Sequence, residues 1–319
     1  MKNILVCGGC GFIGSNLINE LVKNENNYII CVDNLLSGNI KNIKHLINNN
    51  RFKFINHDII YPLDFINDYK IDEIYNFACV ASPIKYQEDM EHTVKTSVLG
   101  IINLLDIANK HNCKILQAST SEVYGDSLVS PQSEDYFGNV NINGIRSCYD
   151  EGKRCAETIM YSYYKKYNTK IKIIRIFNTY GVNMDKNDGR VISNFINQAL
   201  NNEDITIYGN GNQTRSFQYI DDLIDGVIKV MNTSDDINYP LNIGNDEEYK
   251  IIDLANIIID LTKSKSKIVF KDLPMDDPKK RKPNINKIKS IIDWYPKISL
   301  NEGLNKTIEY YKKNKSGIN

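Results

Sequence analysis

Strand and helix signals alternate along the first half of this 319-residue chain, the first strand runs into a glycine-rich turn, and the second ends on an acid. These three observations predict an α/β fold, a doubly wound parallel sheet with a smaller C-terminal lobe. The first strand is Ile4-Leu5-Val6. It is followed by Gly8-Gly9-Cys10-Gly11-Phe12-Ile13-Gly14 and a helical pattern from Phe12 to Val22. Glycines there let the chain turn sharply and bring its backbone against a pyrophosphate, and the helix N-terminus beyond offers N–H groups and partial positive charge. A second strand, Tyr28 to Val32, leads to Asp33, within the roughly 20-residue distance expected of a ribose-binding carboxylate. Such an acid accepts from both ribose hydroxyls and repels a 2′-phosphate, which favours NAD over NADP. A tight turn alone would explain the glycines, and a strand-end turn would explain Asp33. The order strand, loop, helix, strand, acid is what reads as a Rossmann dinucleotide site.

The next strands are Phe52 to Ile55, Glu73 to Ala78, Lys114 to Gln117 and Ile171 to Ile176, with helical patterns between them, notably Glu88 to Lys110 and Tyr149 to Tyr167. In such sheets ligands bind past the carboxyl ends of the strands. That singles out residues 8–14, 33–38, 57–58, 78–83, 119–125 and 177–181. Past about residue 178 the rhythm changes. Turns at 185–189 and 209–212 separate shorter elements, Pro274 to Pro283 reads as a polar linker, and helical patterns at Ile285 to Ile292 and Leu300 to Tyr311 close the chain. The expected organisation is a dinucleotide-binding domain over 1–178, which the chain rejoins around 216–243, and a mainly substrate-facing lobe over 179–319.

Lys and Arg number 39 and Asp and Glu 39, and this balance argues against nucleic acid as a partner. No stretch approaches the roughly 20 apolar residues of a membrane span. The first strand begins at the start of the sequence, so no signal peptide is expected and the expected location is cytoplasmic. Seven scattered cysteines suit a reducing compartment. Cys7 and Cys10 have C-x-x-C spacing, but no second close pair completes four ligands, so no metal site is expected.

Tyr149 and Lys153 stand four apart in a helical stretch and share one face. A nearby ammonium favours a phenolate, as would the positive ring of an oxidised nicotinamide. Gly152 between them costs the helix about 1 kcal/mol relative to Ala, which points to close backbone approach by a ligand or a partner helix. Tyr-x-x-x-Lys arises by chance in a chain with 20 tyrosines. It gains meaning from Ala118-Ser119-Thr120-Ser121-Glu122-Val123-Tyr124-Gly125, a hydroxyl-rich segment leaving a strand. A hydroxyl there is placed to hold the oxygen that Tyr149 deprotonates, although Ser/Thr clusters also serve as turns and helix caps.

Glycine loop, strand-end acid, Ser-Thr-Ser-Glu-Val-Tyr-Gly and Tyr-x-x-x-Lys, in this order, resemble the extended short-chain dehydrogenase/reductases that act on sugar nucleotides. Longer motifs are similar to those of the UDP-glucuronate decarboxylase (UDP-xylose synthase) branch. They are Pro131-Gln132-Ser133-Glu134-Asp135-Tyr136, Ser147 to Arg154, Arg175 to Gly181, Asn187 to Val191, Gln213 to Tyr219 and Asp276 to Pro283. The likeness spans nearly the whole chain.

The resemblance implies oxidation at the sugar C4, loss of carbon dioxide from the β-keto acid so formed, and re-reduction at C4, with NAD kept through turnover. It implies catalytic roles for Thr120, Glu122, Tyr149, Lys153 and Arg281. Tyr149 is the base, Thr120 holds the C4 oxygen, Glu122 places water or a proton, and Arg281 meets the substrate near its carboxylate or helps protonate C5. Gly8, Gly11, Phe12, Ile13, Gly14, Asp33, Asn34, Ser37, Gly38, Asp58, Ile59, Tyr149 and Lys153 are implied to bind the cofactor, Asp58 at the adenine. Tyr86, Asn178, Arg190, Val191, Tyr208, Arg215 and Arg281 are implied to bind the UDP-sugar. Without the resemblance, Lys279 to Lys282 would read as a solvated basic run, and Arg190 and Arg215 as surface salt bridges. Relatives also pair the Glu88–Lys110 and Tyr149–Tyr167 helices across a two-fold axis, implying a homodimer through a four-helix bundle. The chain departs from the pattern at Cys10, at Ala78 to Pro83, at Ser97 and at Val182, without losing a group that the chemistry needs. Alternatives from the same residues are a UDP- or dTDP-glucose 4,6-dehydratase, a 4-epimerase and a non-catalytic NAD-binding scaffold. Dehydratase relatives carry Asp-Glu where this chain has Ser121-Glu122, and a scaffold needs no matched base and hydroxyl.

Overall fold

The structure, a computed structural model, describes residues 1–272 and 281–315. The expected linker from Pro274 lies outside the described residues as far as residue 280, as do Lys279 and Lys280. Strand β1 (Lys2–Cys7) leads through the glycine turn to α1 (Phe12–Leu21), followed by β2 (Asn27–Asp33), β3 (Phe52–Asn56) and β4 (Glu73–Asn76). Helices α2 (Lys85–Glu88), α3 (Met90–Lys95) and α4 (Ile101–His111) precede β5 (Lys114–Thr120), α5 (Ser147–Tyr167), β6 (Ile171–Ile176) and β7 (Thr179–Tyr180). Next come α6 (Val191–Asn201), β8 (Ile205–Tyr208), β9 (Thr214–Ser216), β10 (Gln218–Tyr219), α7 (Ile220–Met231) and β11 (Pro240–Ile243). The chain continues through β12 (Glu248–Lys250), α8 (Ile251–Thr262) and β13 (Ile268–Lys271) to α9 (Asn286–Ile292) and α10 (Leu300–Lys315).

Among the described residues, seven strands form a parallel sheet in the order β11-β6-β5-β4-β1-β2-β3. Successive side chains of a strand point to opposite faces. Ile4 and Val6 therefore join one core cluster with α1, α6 and α7, while Leu5 and Cys7 join the other with α4 and α5. Both faces are covered, which is why these strands read as continuous apolar runs. The strand order reverses between β1 and β4, and this switch point opens the crevice where the loops after both strands meet. Strand β11 rejoins the sheet beside β6, and three two-stranded ladders, β7–β10, β9–β12 and β8–β13, build up the side of the crevice facing the C-terminal half.

Three elements differ most from expectation, the first being β4, which stops at Asn76 and not at Ala78. The helix expected from Glu88 to Lys110 is broken at Asp89 and carries a π turn at Thr96–Gly100. Strand β5 runs on to Thr120 instead of stopping at Gln117. Gly152 is explained by helix packing: a Cβ there would stand 3.0 Å from Ser97 of the π turn. No described helix is long and apolar enough to cross a membrane.

Candidate active site

All the candidate site residues named from the sequence line one cleft of about 1520 Å³ along the carboxyl edge of the sheet. At one end, Gly8 has φ +75°, and a Cβ on it would lie 2.6 Å from the Phe77 carbonyl carbon past β4. A Cβ on Gly14 would lie 2.2 Å from Gly8 O. Backbone from β1, α1 and the β4 loop is therefore in contact, and no side chain caps α1 at Gly11. Phe12 and Ile13 begin α1 beside this gap.

Asp33 is buried at the end of β2. One carboxylate oxygen accepts Cys10 N–H at 2.9 Å and the other Leu35 N–H at 2.8 Å, leaving each oxygen a further lone pair. Burial raises its pKa against the pull of these N–H groups. Ser37 and Gly38 pass over it so closely that a Cβ on Gly38 would be 2.8 Å from its oxygen. Asp58 accepts from Asn34 Nδ2 and pairs with His92 Nε2, both at 2.7 Å. Burial pushes the Asp58 pKa up, but Ile60 N–H, His92 and Asn34 together hold it below the carboxylate range. Ile59 packs on Gly100, where a Cβ would come within 2.5 Å of its Cδ1. The absence of Cβ atoms, the uncapped helix and two fixed carboxylates fit an adenine dinucleotide.

In the middle of the cleft, Thr120 ends β5 and its Oγ1 accepts Glu122 N–H at 3.3 Å, so the expected hydroxyl is also the cap of the following turn. Tyr149, on α5, is buried beside the Thr120 hydroxyl, which lines the same cleft. Tyr86 stacks on its ring at 5.1 Å and 5°. Lys153 Nζ sits 5.8 Å from the Tyr149 ring centroid and donates to Ala118 O at 2.9 Å. Burial drives the Tyr149 phenol well above the usual tyrosine value and the field of Cys79 adds to it; Thr120 and Arg190 pull the other way. The lowering expected beside Lys153 is thus not found, and desolvation dominates. Cys79, within the departing 78–83 stretch, is 3.5 Å from Ser97 Oγ.

At the other end, Glu122 is buried between two arginines. Arg281 Nη2 lies 2.8 and 2.9 Å from its two oxygens, and Arg146 pairs with it from α5's leading edge. Burial works hardest on Glu122 and would raise its pKa, yet Arg281, Arg146 and Arg215 together hold it below the usual range. Arg146 also approaches Asp150, 3.9 Å away. Burial and the charge of Glu122 push the Asp150 carboxyl up to about 7. Arg281 Nη1 reaches Asn178 Oδ1 at 3.4 Å, and Arg190 pairs with Asp188 at 2.7 Å. Arg215, on β9, donates to Thr214 O, and Val191 and Tyr208 line the wall nearby. The basic run is not a uniform solvated face: Arg281 turns inward, while Lys282 pairs with Glu248 at 3.2 Å. Sequence reasoning missed Arg146, Asp150 and His92. For the first two, the only available signal was their i, i+4 relation in the helix start that carries Tyr149.

A parallel sheet opened by this glycine loop, with a Tyr–Lys pair on one helix and a threonine hydroxyl against the tyrosine, defines an extended short-chain dehydrogenase/reductase. Residues 5–307 match the protein family described as GDP-mannose 4,6 dehydratase. UDP-glucuronic acid decarboxylase 1 of Danio rerio is 46% identical over 98% of this chain and 73% of its own length. UDP-glucuronic acid decarboxylase 6 of Arabidopsis thaliana is 48% identical over 94% of this chain and 86% of its own. A UDP-glucuronic acid 4-epimerase from Bacillus cereus, solved with UDP-glucuronic acid and NAD, superposes with a TM-score of 0.88 at 29% identity, covering 98% of this chain and 100% of that one. A dTDP-glucose 4,6-dehydratase from Bacillus anthracis, solved with NAD, gives 0.85 at 27% identity over 99% and 98%. The chain belongs to the UDP-glucuronic acid decarboxylase family, within a wider group of nucleotide-sugar enzymes that use NAD.

Proposed function

We propose that this protein converts UDP-glucuronate to UDP-xylose and carbon dioxide, with NAD held through the cycle. The observation that carries the reading is the Arg281–Glu122–Arg146 cluster in the same cleft as Tyr149 and Thr120, since a guanidinium is suited to grip a sugar carboxylate. Bound NAD supplies a two-electron acceptor for C4 that later returns what it took, so that C4 is transiently a ketone. Tyr149 Oη removes the C4 hydroxyl proton and gives it back at the end, while the Thr120 hydroxyl donates to the C4 oxygen. Lys153 orients this pair from below. With a ketone at C4, the bond from C5 to the carboxylate breaks and its electrons enter the carbonyl as an enolate. Arg281 meets the carboxylate, and Glu122 positions the water that protonates C5. Gly8, Gly11, Phe12, Ile13 and Gly14 cradle the pyrophosphate, Asp33, Asn34, Ser37 and Gly38 the ribose, and Asp58 and Ile59 the adenine. Arg190 and Arg215 neutralise the UDP phosphates, with Tyr86, Asn178, Val191 and Tyr208 shaping the sugar and uridine pockets.

This reading assigns the dinucleotide to residues 1–178 together with 216–243 and the sugar nucleotide mainly to 179–319. It takes the protein to be cytoplasmic and a homodimer. Exposed Val94, Leu99, Tyr161 and Tyr167 on the α3–α4 and α5 helices support a four-helix bundle between two copies. The test is to incubate the protein with UDP-glucuronate and follow the products by NMR. UDP-xylose with released carbon dioxide is expected. No turnover of UDP-glucuronate, together with conversion of UDP-glucose to a 4-keto-6-deoxy sugar, would overturn the reading.

A further inference from the structure

Gln132 lies in the Pro131–Tyr136 motif, which the chemistry above leaves unused. It is 1% exposed and does not line the cleft. It packs against the segment that carries Arg281. Its side-chain Oε1 accepts Lys282 N–H at 2.8 Å, and its own N–H donates to Lys282 O at 2.7 Å. Its carbonyl accepts Asn284 N–H at 2.8 Å, completing a bridge with Pro283. Lys282 N–H belongs to the peptide plane that joins Arg281 to Lys282, so gripping it fixes the backbone torsion from which the Arg281 side chain departs.

The same anchor reaches Glu122. Asn242 of β11, fully buried, donates from Nδ2 to Gln132 O at 3.0 Å and Asn284 O at 3.2 Å. Its Oδ1 accepts Tyr124 OH at 2.7 Å, and Tyr124 closes the turn that holds Glu122. The two ends of the Arg281–Glu122 pair are thus referred to one buried point.

We propose that Gln132 is the positioning residue for Arg281, setting through the Arg281–Lys282 peptide the direction in which the guanidinium enters the cleft. This rests on the decarboxylase reading for its effect on turnover, but not for its effect on geometry. Gln132→Met keeps the volume and removes the acceptor, whereas Gln132→Glu keeps the acceptor. Carbon dioxide release from UDP-glucuronate by the full chain is expected to fall about tenfold in kcat or more for Gln132→Met, the scale of a misplaced reacting group. Bound NAD should stay within about twofold, because the backbone bonds remain and the cofactor end is untouched, whereas KM rises with the loss of the Arg281 grip on the carboxylate. Gln132→Glu should recover most of the loss. If the Met variant does not fold, Gln132→Asn, which withdraws the acceptor by one methylene, takes its place with the same expectation. A crystal structure of the variant should show Arg281 moved off Glu122, a readout independent of turnover. Unchanged kcat, a Glu variant as impaired as the Met variant, or Arg281 still seated on Glu122 would each overturn the proposal. A wild-type protein that releases no carbon dioxide would instead overturn the decarboxylase reading, leaving the crystal structure to decide the role of Gln132.

Discussion

The dinucleotide end of the cleft is walled by backbone and by two carboxylates pinned by neighbouring N–H and side-chain groups, whereas the sugar end is walled by long charged side chains drawn from segments as distant as Glu122 and Arg281. Backbone contact tolerates no added atom but needs few specific partners. A buried charge cluster tolerates changes of shape but fails when one member is lost, because the remaining charge is left unpaired. The two ends should therefore break in different ways.

Where they meet, Tyr149→Phe should lower kcat by about a thousandfold or more while leaving NAD content unchanged. Assays of turnover and of cofactor released on denaturation check this, and loss of cofactor would make Tyr149 structural. At the sugar end, Arg146→Met removes one of the two arginines on Glu122 and the near neighbour of Asp150. A destabilisation of about 3 kcal/mol is expected in urea unfolding. At the dinucleotide end, Gly8→Ala forces a side chain into positive φ and against Phe77. It should cost about 2 kcal/mol and reduce bound NAD, with activity restored by added NAD.

The smallest effect concerns pH. Asp150 in the folded protein is pushed up to about 7 from an ordinary value near 3.8. Between these pH values the folded state holds a proton that the unfolded state has released, so stability falls as pH rises through the window. The cost is complete above about 7 and absent below about 3.8. Asp150→Asn should thus gain on the wild type between pH 4 and 7 and run parallel above. Since Glu122 is coupled to it, the gain is about 1–2 kcal/mol, read from urea midpoints across the range. A flat difference would mean that Asp150 is not held protonated.

The same contrast explains what the sequence disclosed. The glycine loop and Asp33 were legible because their determinants are local: a turn, a helix start, a strand end. Six of the seven sheet strands were legible as apolar runs, and β5 was cut short only because Ser119 and Thr120 are polar, though buried. The helix expected over 88–110 hid its breaks, since apolar periodicity survives an inserted π turn. Arg281 stood out only through resemblance. Arg146 and His92 did not stand out at all, and Gln132 only as one member of the Pro131–Tyr136 motif, because their partners at Glu122, Asp58 and Lys282 are brought near by the sheet and not by spacing in the chain.

Thr120 carries one consequence further. A hydroxyl has a single proton to give and two lone pairs, one of which is engaged by Glu122 N–H. Its proton is left over for an oxygen arriving in the cleft beside Tyr149. The turn that carries Glu122 thereby biases the reacting centre: on the proposed reading, an oxygen arriving there accepts from Thr120 and has Tyr149 to take its own proton.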